Sequence, residues 1–165
     1  MSDRCEQLLT LLGKPRPTSA QLLIQLIEDL GEQPMVDCTH DRLLSYEFAR
    51  SGVSLECDTK LGMFIYLTIF VLVLPDENGE VGSRRLYNGS LPFGFTASDS
   101  FSDVEAKLPG ATMVVKDYGF AVDLRPLVVR TSFHPPGAPT APLYFISVEY
   151  VGPAADPVAL RRSVS

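Results

Sequence analysis

The stretch from Leu61 to Leu74, LGMFIYLTIFVLVL, contains no charged residue, so whatever this chain folds into must bury it. A membrane-spanning helix needs roughly 18 to 20 such residues, and this run stops short of that. Its Phe, Ile, Thr and Val content favours a pleated, packed conformation. The run is therefore expected to form a central strand, of the kind that can be continuously apolar because both of its faces are covered.

The segments around it supply what a strand of that kind needs. Ser2 to Leu12 reads as a helix, with Gly13 as its stop before Pro15. Thr18-Ser19-Ala20-Gln21 has the spacing of a capping box. Leu22, Leu23, Leu26, Ile27 and Leu30 follow at helical spacing, and Gly31 ends the helix. The period then changes to two. Leu44, Tyr46 and Phe48 alternate with polar neighbours, as do Val53, Leu55 and Cys57, giving two strands that lead into the apolar run as an antiparallel meander. Residues 75–97 read as a connector rich in turn-forming residues.

Beyond it, Ser98, Ser100 and Ser102 offer caps to a helix containing Phe101, Val104 and Leu108. Four strands are expected after that, at Ala111 to Lys116, Ala121 to Leu124, Leu127 to Phe133 and Leu143 to Val151. Residues 18–74 and 98–151 thus share one order of capped helix and meander, which suggests an internal duplication. The expected fold class is α+β, one domain spanning residues 1–165, with helices packed on one face of an antiparallel sheet and a loose tail at 157–165.

With 165 residues, of which 45% are hydrophobic and 21% charged, the chain has the composition of one globular domain with a packed core. The formal net charge of −6 argues against nucleic acid as a partner, because neutralising phosphates takes clustered Lys and Arg. It suits a basic protein partner instead. No apolar leader follows Met1, and the odd set Cys5, Cys38 and Cys57 has no CxxC spacing, so a cytoplasmic location with reduced thiols is expected, the cysteines acting as small core hydrophobes. No membrane association is expected.

Motifs for chemistry are sparse. His40 and His134 are the only histidines. Cys38-Thr39-His40 would place a thiol and an imidazole on one face if it were extended, yet it lacks further ligands at zinc-site spacing, and direct i, i+2 neighbours lie too far apart for an ion pair. Neither a GxSxG elbow nor a phosphate-binding glycine loop occurs. Carboxylate pairs such as Asp99 with Asp103 are too abundant to signify, and Asp103 has an ordinary task near a helix N-terminus. No metal, cofactor or catalytic residue is expected.

Tyr87-Asn88-Gly89-Ser90-Leu91-Pro92-Phe93-Gly94-Phe95, followed by the serine-capped helix Ser98 to Pro109, resembles a segment of small bacterial immunity-type proteins carried beside polymorphic or contact-dependent toxins. The Leu30-Gly31-Glu32-Gln33-Pro34 helix ending belongs to the same resemblance, while Leu108-Pro109 departs from the more usual Leu-Gly exit. The duplicated helix and meander resemble the tandem fold of β-lactamase inhibitor proteins and of related outer-membrane assembly lipoproteins, whose signal cysteine is absent here. The resemblance implies a non-enzymatic inhibitor that occludes a toxin's active site.

Charge and aromatic content nominate Asp76, Glu77, Glu80, Tyr87, Asp99, Asp103, Asp117 and Tyr118 as its partner-binding residues. The alternatives are a small carboxylate-dependent hydrolase and a structural or regulatory subunit that forms a homo-oligomer through an exposed sheet edge.

Overall fold

The computed structural model describes residues 4–14, 18–74, 78–79, 85–108, 113–115, 119–135 and 138–152. The apolar run does become a strand, but only over Met63–Phe70. It is β4, the last of a meander formed with β1 (Met35–His40), β2 (Leu43–Phe48) and β3 (Val53–Asp58). A second meander is built from β5 (Met113–Val115), β6 (Gly119–Leu124), β7 (Leu127–Phe133) and β8 (Leu143–Tyr150). The two meet where β4 pairs antiparallel with β8, so one eight-stranded sheet runs in the order β1-β2-β3-β4-β8-β7-β6-β5. The fold is α+β, as the periodicities predict. The duplication expected from the sequence rests on shared element order and has no further support.

Three helices lie against one face: α1 (Arg4–Leu11), α2 (Thr18–Leu30) and α3 (Phe101–Lys107). Cys5, Leu8 and Leu11 of α1, Leu26 of α2 and Val104 of α3 join Phe48, Val53, Leu55, Leu67, Ile69, Val122, Val129, Ile146 and Val148 in one buried cluster. Period-two alternation selects those strand residues, since successive side chains leave opposite faces. Gly13, in the left-handed region at φ 72°, turns the chain out of α1; its amide bonds the Phe64 carbonyl at 2.9 Å, and the Tyr150 ring occupies the space a side chain would need. α3 is fixed by a capping box. The Ser100 hydroxyl accepts from the Asp103 amide, and the Asp103 carboxylate accepts from the Ser100 amide. The Phe101 ring packs edge-on against Phe133 at 5.3 Å.

Some expectations are corrected. Strand β1 has no counterpart in the sequence reading: as an edge strand it carries Met35 and Val36 exposed, so no alternation marks it. For the same reason Cys38 is exposed, whereas Cys5 and Cys57 are core residues as expected. β6 begins at Gly119 rather than Ala121, while of the three serines offered as caps to α3 it is Ser100 that takes the position. The tail 157–165 lies outside the described residues. Among the described residues, no helix is long and apolar enough to cross a membrane.

Leu67, Ile69, Ile146 and Val148 at the junction of the meanders are fully buried. Leu67→Ala is expected to cost about 2–5 kcal/mol in urea unfolding, since it removes packing from both halves at once. Leu44→Ala, at a half-buried position on β2 near the sheet edge, is expected to cost less.

Candidate functional site

Because the described helices sit on one side, the alternation that builds the core also sets out a second face, against which no described helix packs. The strand register arranges it in rows running across the sheet. One row reads Ser45, Glu56, Tyr66, Glu149, Val128, Asp123. The next reads Glu47, Ser54, Thr68, Ser147, Arg130, Ala121. A third contains Phe70, Phe145 and Ser132. From β2 to β4 and on β8 these side chains are half-buried, shielded by one another and still reachable by solvent. Towards β6 and β7 the surface closes: Ala121 and Val128 are buried, yet neither belongs to the helix-side cluster.

Two constructions stand out on this face. The first is a network across β4, β8 and β7. The Tyr66 hydroxyl donates to one Glu149 oxygen at 2.9 Å, and the Arg130 guanidinium donates to the other at 2.6 Å. Only 15% of the Glu149 side chain is exposed, so the pair is well shielded from salt and water. Burial, and then the neighbouring Glu149 carboxylate that accepts its hydrogen bond, push the Tyr66 pKa up to about 12. The second construction is the Phe70–Phe145 ring pair, from which ring contacts continue beyond the rows to Tyr144 and His134. Phe70 lies 6.4 Å from Phe145, Phe145 lies 5.2 Å from Tyr144, and Tyr144 lies 6.4 Å from His134, each pair tilted or edge-on.

The residues nominated from sequence fall elsewhere. Asp76, Glu77, Glu80, Asp117 and Tyr118 lie outside the described residues. Tyr87 is a correction: its ring belongs to the buried cluster, held against Gly89 and only 9% exposed, so it cannot serve as a contact-surface anchor in this conformation.

Asp99 is also buried, and all of its visible interactions are internal. The Thr96 amide and hydroxyl donate to it at 2.9 and 2.6 Å, and the Lys107 ammonium reaches both of its oxygens at 2.9 and 2.7 Å. Burial opposes its ionisation, but the Lys107 and Thr96 donors outweigh that and hold the carboxyl below its ordinary range. Asp103 is likewise held low, by the Ser100 hydroxyl and amide of the capping box. Among the described residues, no group of three or more His, Cys, Asp and Glu is placed to hold a metal ion.

Sequence reading missed Tyr66, Phe70, Arg130, Phe145 and Glu149. A signal was present: within the apolar run Tyr66, Thr68 and Phe70 alternate with Leu67 and Ile69, and Phe145, Ser147 and Glu149 alternate with Ile146 and Val148. The absence of charge in the first segment masked that period. Comparison with known proteins gives no matching family model, no matching curated protein and no matching solved structure.

The raised Tyr66 pKa fixes a pH window. The folded state holds this proton more tightly than the unfolded chain, so its contribution to stability is complete below the ordinary tyrosine value of 10 and is lost as pH rises towards 12. Ultraviolet titration is expected to show one tyrosine ionising near 12, and Glu149→Gln is expected to bring that midpoint down. For Asp99 the window lies at the acid end, where stability present above the ordinary carboxyl range is lost as pH falls through the lowered value. Asp99→Asn is expected to cost about 1–3 kcal/mol, given the donors it leaves poorly matched, and to flatten the acid limb of a stability profile.

Proposed function

We propose that this chain is a non-enzymatic binding protein, an immunity protein of the cytoplasm that neutralises a basic toxin domain by covering its active site. The observation that carries the reading is the sheet face away from the described helices, where the Phe70 and Phe145 rings and a shielded Tyr-Glu-Arg network stand partly exposed on the strands. Tyr, Phe and Arg are the side chains that dominate interface energetics, and a sheet presents them without the entropic cost of ordering a loop. The excess of Asp and Glu over Lys and Arg, 20 against 14, favours a basic partner and faster encounter with it.

Other observations weigh against the alternatives. Of the Asp99 and Asp103 pair that a carboxylate-dependent hydrolase could use, Asp99 is occupied in joining α3 to the preceding turn and Asp103 in the capping box. The β1 edge, which would have to pair for a sheet-extended oligomer, is blunted. Its register with β2 shifts between Cys38 and His40, and the Asp37 carboxylate takes the Cys38 amide at 2.8 Å.

The test is co-expression with the toxic product of the neighbouring gene. Growth protection and a stable complex by size-exclusion chromatography are expected, and Phe145→Ala is expected to weaken that complex by about 2 kcal/mol, mainly through faster dissociation. A purified chain that turns over a substrate, or a toxin that is neither bound nor neutralised, would overturn the reading.

A further inference from the structure

Residues from the stretch between β4 and α3 line a hollow of about 310 Å³. Val71, Tyr87 and Phe95 form its floor, all buried and all part of the helix-side cluster. Leu86, Ser90 and Ala97 are exposed at its mouth. Close packing leaves few voids of that size against a protein core, so this one must be held open.

The backbone around it is anchored at several points. The Tyr87 amide bonds the Phe70 carbonyl at 3.0 Å, and the Phe95 amide bonds the Pro92 carbonyl at 3.2 Å. The Thr96 amide and hydroxyl are tied to Asp99 at 2.9 and 2.6 Å. Gly89 lies so close to the Tyr87 ring that any side chain there would run into it, so this wall needs glycine. Between Leu91 and Phe95 the chain passes through Phe93 at φ 61°, a left-handed conformation that a bulky residue adopts only where its surroundings impose it. The Phe93 ring packs at a tilt on Phe95, 5.8 Å away, and backs that part of the floor.

The lining selects the chemistry. None of the described residues that line the hollow is charged, in a chain of which 21% is charged. Asp99, which Thr96 contacts, is matched by Lys107 at 2.7 Å. A charged ligand would give up its hydration here with no partner charge in return. A neutral ring instead meets the aromatic Tyr87 and Phe95 and the aliphatic Val71, Leu86 and Leu91. An apolar cavity of about 150 Å³ is enough for benzene, so roughly twice that volume suits two fused rings. At the mouth the Ser90 hydroxyl offers both a donor and an acceptor to one polar substituent.

We propose that this hollow is a binding site for a small neutral aromatic molecule, its fused rings over Val71, Tyr87 and Phe95 and its one polar group beside Ser90. The floor belongs to the helix side of the sheet, apart from the rows of the opposite face, so occupancy is independent of whether the chain neutralises a toxin.

The probe is naphthalene-2-carboxamide, titrated into the isotope-labelled full chain and followed by amide chemical shifts. Naphthalene-2-carboxylate and 2-naphthamidine keep its shape and carry an anion or a cation instead. Shifts are expected at Tyr87, Gly89, Ser90, Phe95 and Thr96, with a dissociation constant on the order of 0.1 mM. Both charged twins are expected to bind about tenfold more weakly, because each must shed hydration without compensation. Ala97→Trp, which sets a ring across the mouth, is expected to abolish the shifts while the thermal midpoint stays at the wild-type value. If that variant unfolds, Leu86→Trp, at another exposed position of the mouth, serves the same purpose.

Absence of shifts, shifts centred on the smaller groove between α1 and α2, equal affinity for either charged twin, or shifts that persist in a folded blocked variant would overturn the site.

Discussion

The pairing of β4 with β8 is the contact on which the rest of the molecule depends. Each meander alone would end in an unpaired apolar strand, and an edge of that kind invites association with any other strand. Joining the two last strands hides both edges in a single step and places Leu67, Ile69, Ile146 and Val148 at the middle of the core. It also fixes, through register, which residues face away from the helices. Tyr66 is opposite Glu149 and Phe70 is opposite Phe145 for the same reason that Leu67 is opposite Val148. A one-residue slip would exchange the two sets, burying a carboxylate and exposing a core valine, so the candidate face is specified as strongly as the core itself.

The acidic character of the chain has two separate origins. Three buried carboxylates act as structural fasteners. Glu32 accepts from the Arg50 amide and the Ser51 hydroxyl, each at 2.7 Å, tying the segment after α2 to the turn between β2 and β3. Asp58 accepts from the Lys60 and Leu61 amides and pairs with Arg42 at 2.8 Å, closing the turn into β4. Asp99 does the same for the start of α3. Buried charges of this kind persist because each has donors matched to it. They contribute to the net charge of −6 without belonging to any binding surface. Glu47 and Glu56, by contrast, lie on the sheet face turned away from the described helices.

That division explains how much the sequence disclosed. Helix ends were legible at Gly13 and Gly31, because a left-handed residue leaves a mark that needs no tertiary knowledge. The strands β2, β3 and β7 were legible because alternation is local. The apolar run was read correctly as a strand and too generously as buried on both sides. Its outward residues, Tyr66, Thr68 and Phe70, are large or only weakly polar, so hydropathy alone does not separate them from Leu67 and Ile69. Only the neighbour shows which side each takes, and that neighbour is β8, almost eighty residues further along. Tyr87, nominated as a contact on charge and aromatic content, lies instead in the core, where its backbone amide bonds the Phe70 carbonyl at 3.0 Å.

The core and the outward face of the sheet are therefore drawn from one alternating pattern and still remain separable. On the helix side every second residue is held by close packing, where loss of a few methylene groups is felt at once. On the other side the same strands from β2 to β4 and β8 carry half-buried residues, so substitution there is expected to disturb packing less and to leave the ladder intact. The Tyr66, Glu149 and Arg130 network is the point where that separation is least complete. It crosses three strands, and its shielding gives the hydrogen bonds more strength than surface pairs have. A partner that approaches Glu149 meets a carboxylate already oriented by two donors, with little freedom left to lose. Preorganisation of this kind lowers the entropic cost of association, and it follows from the same β4–β8 register that closes the sheet.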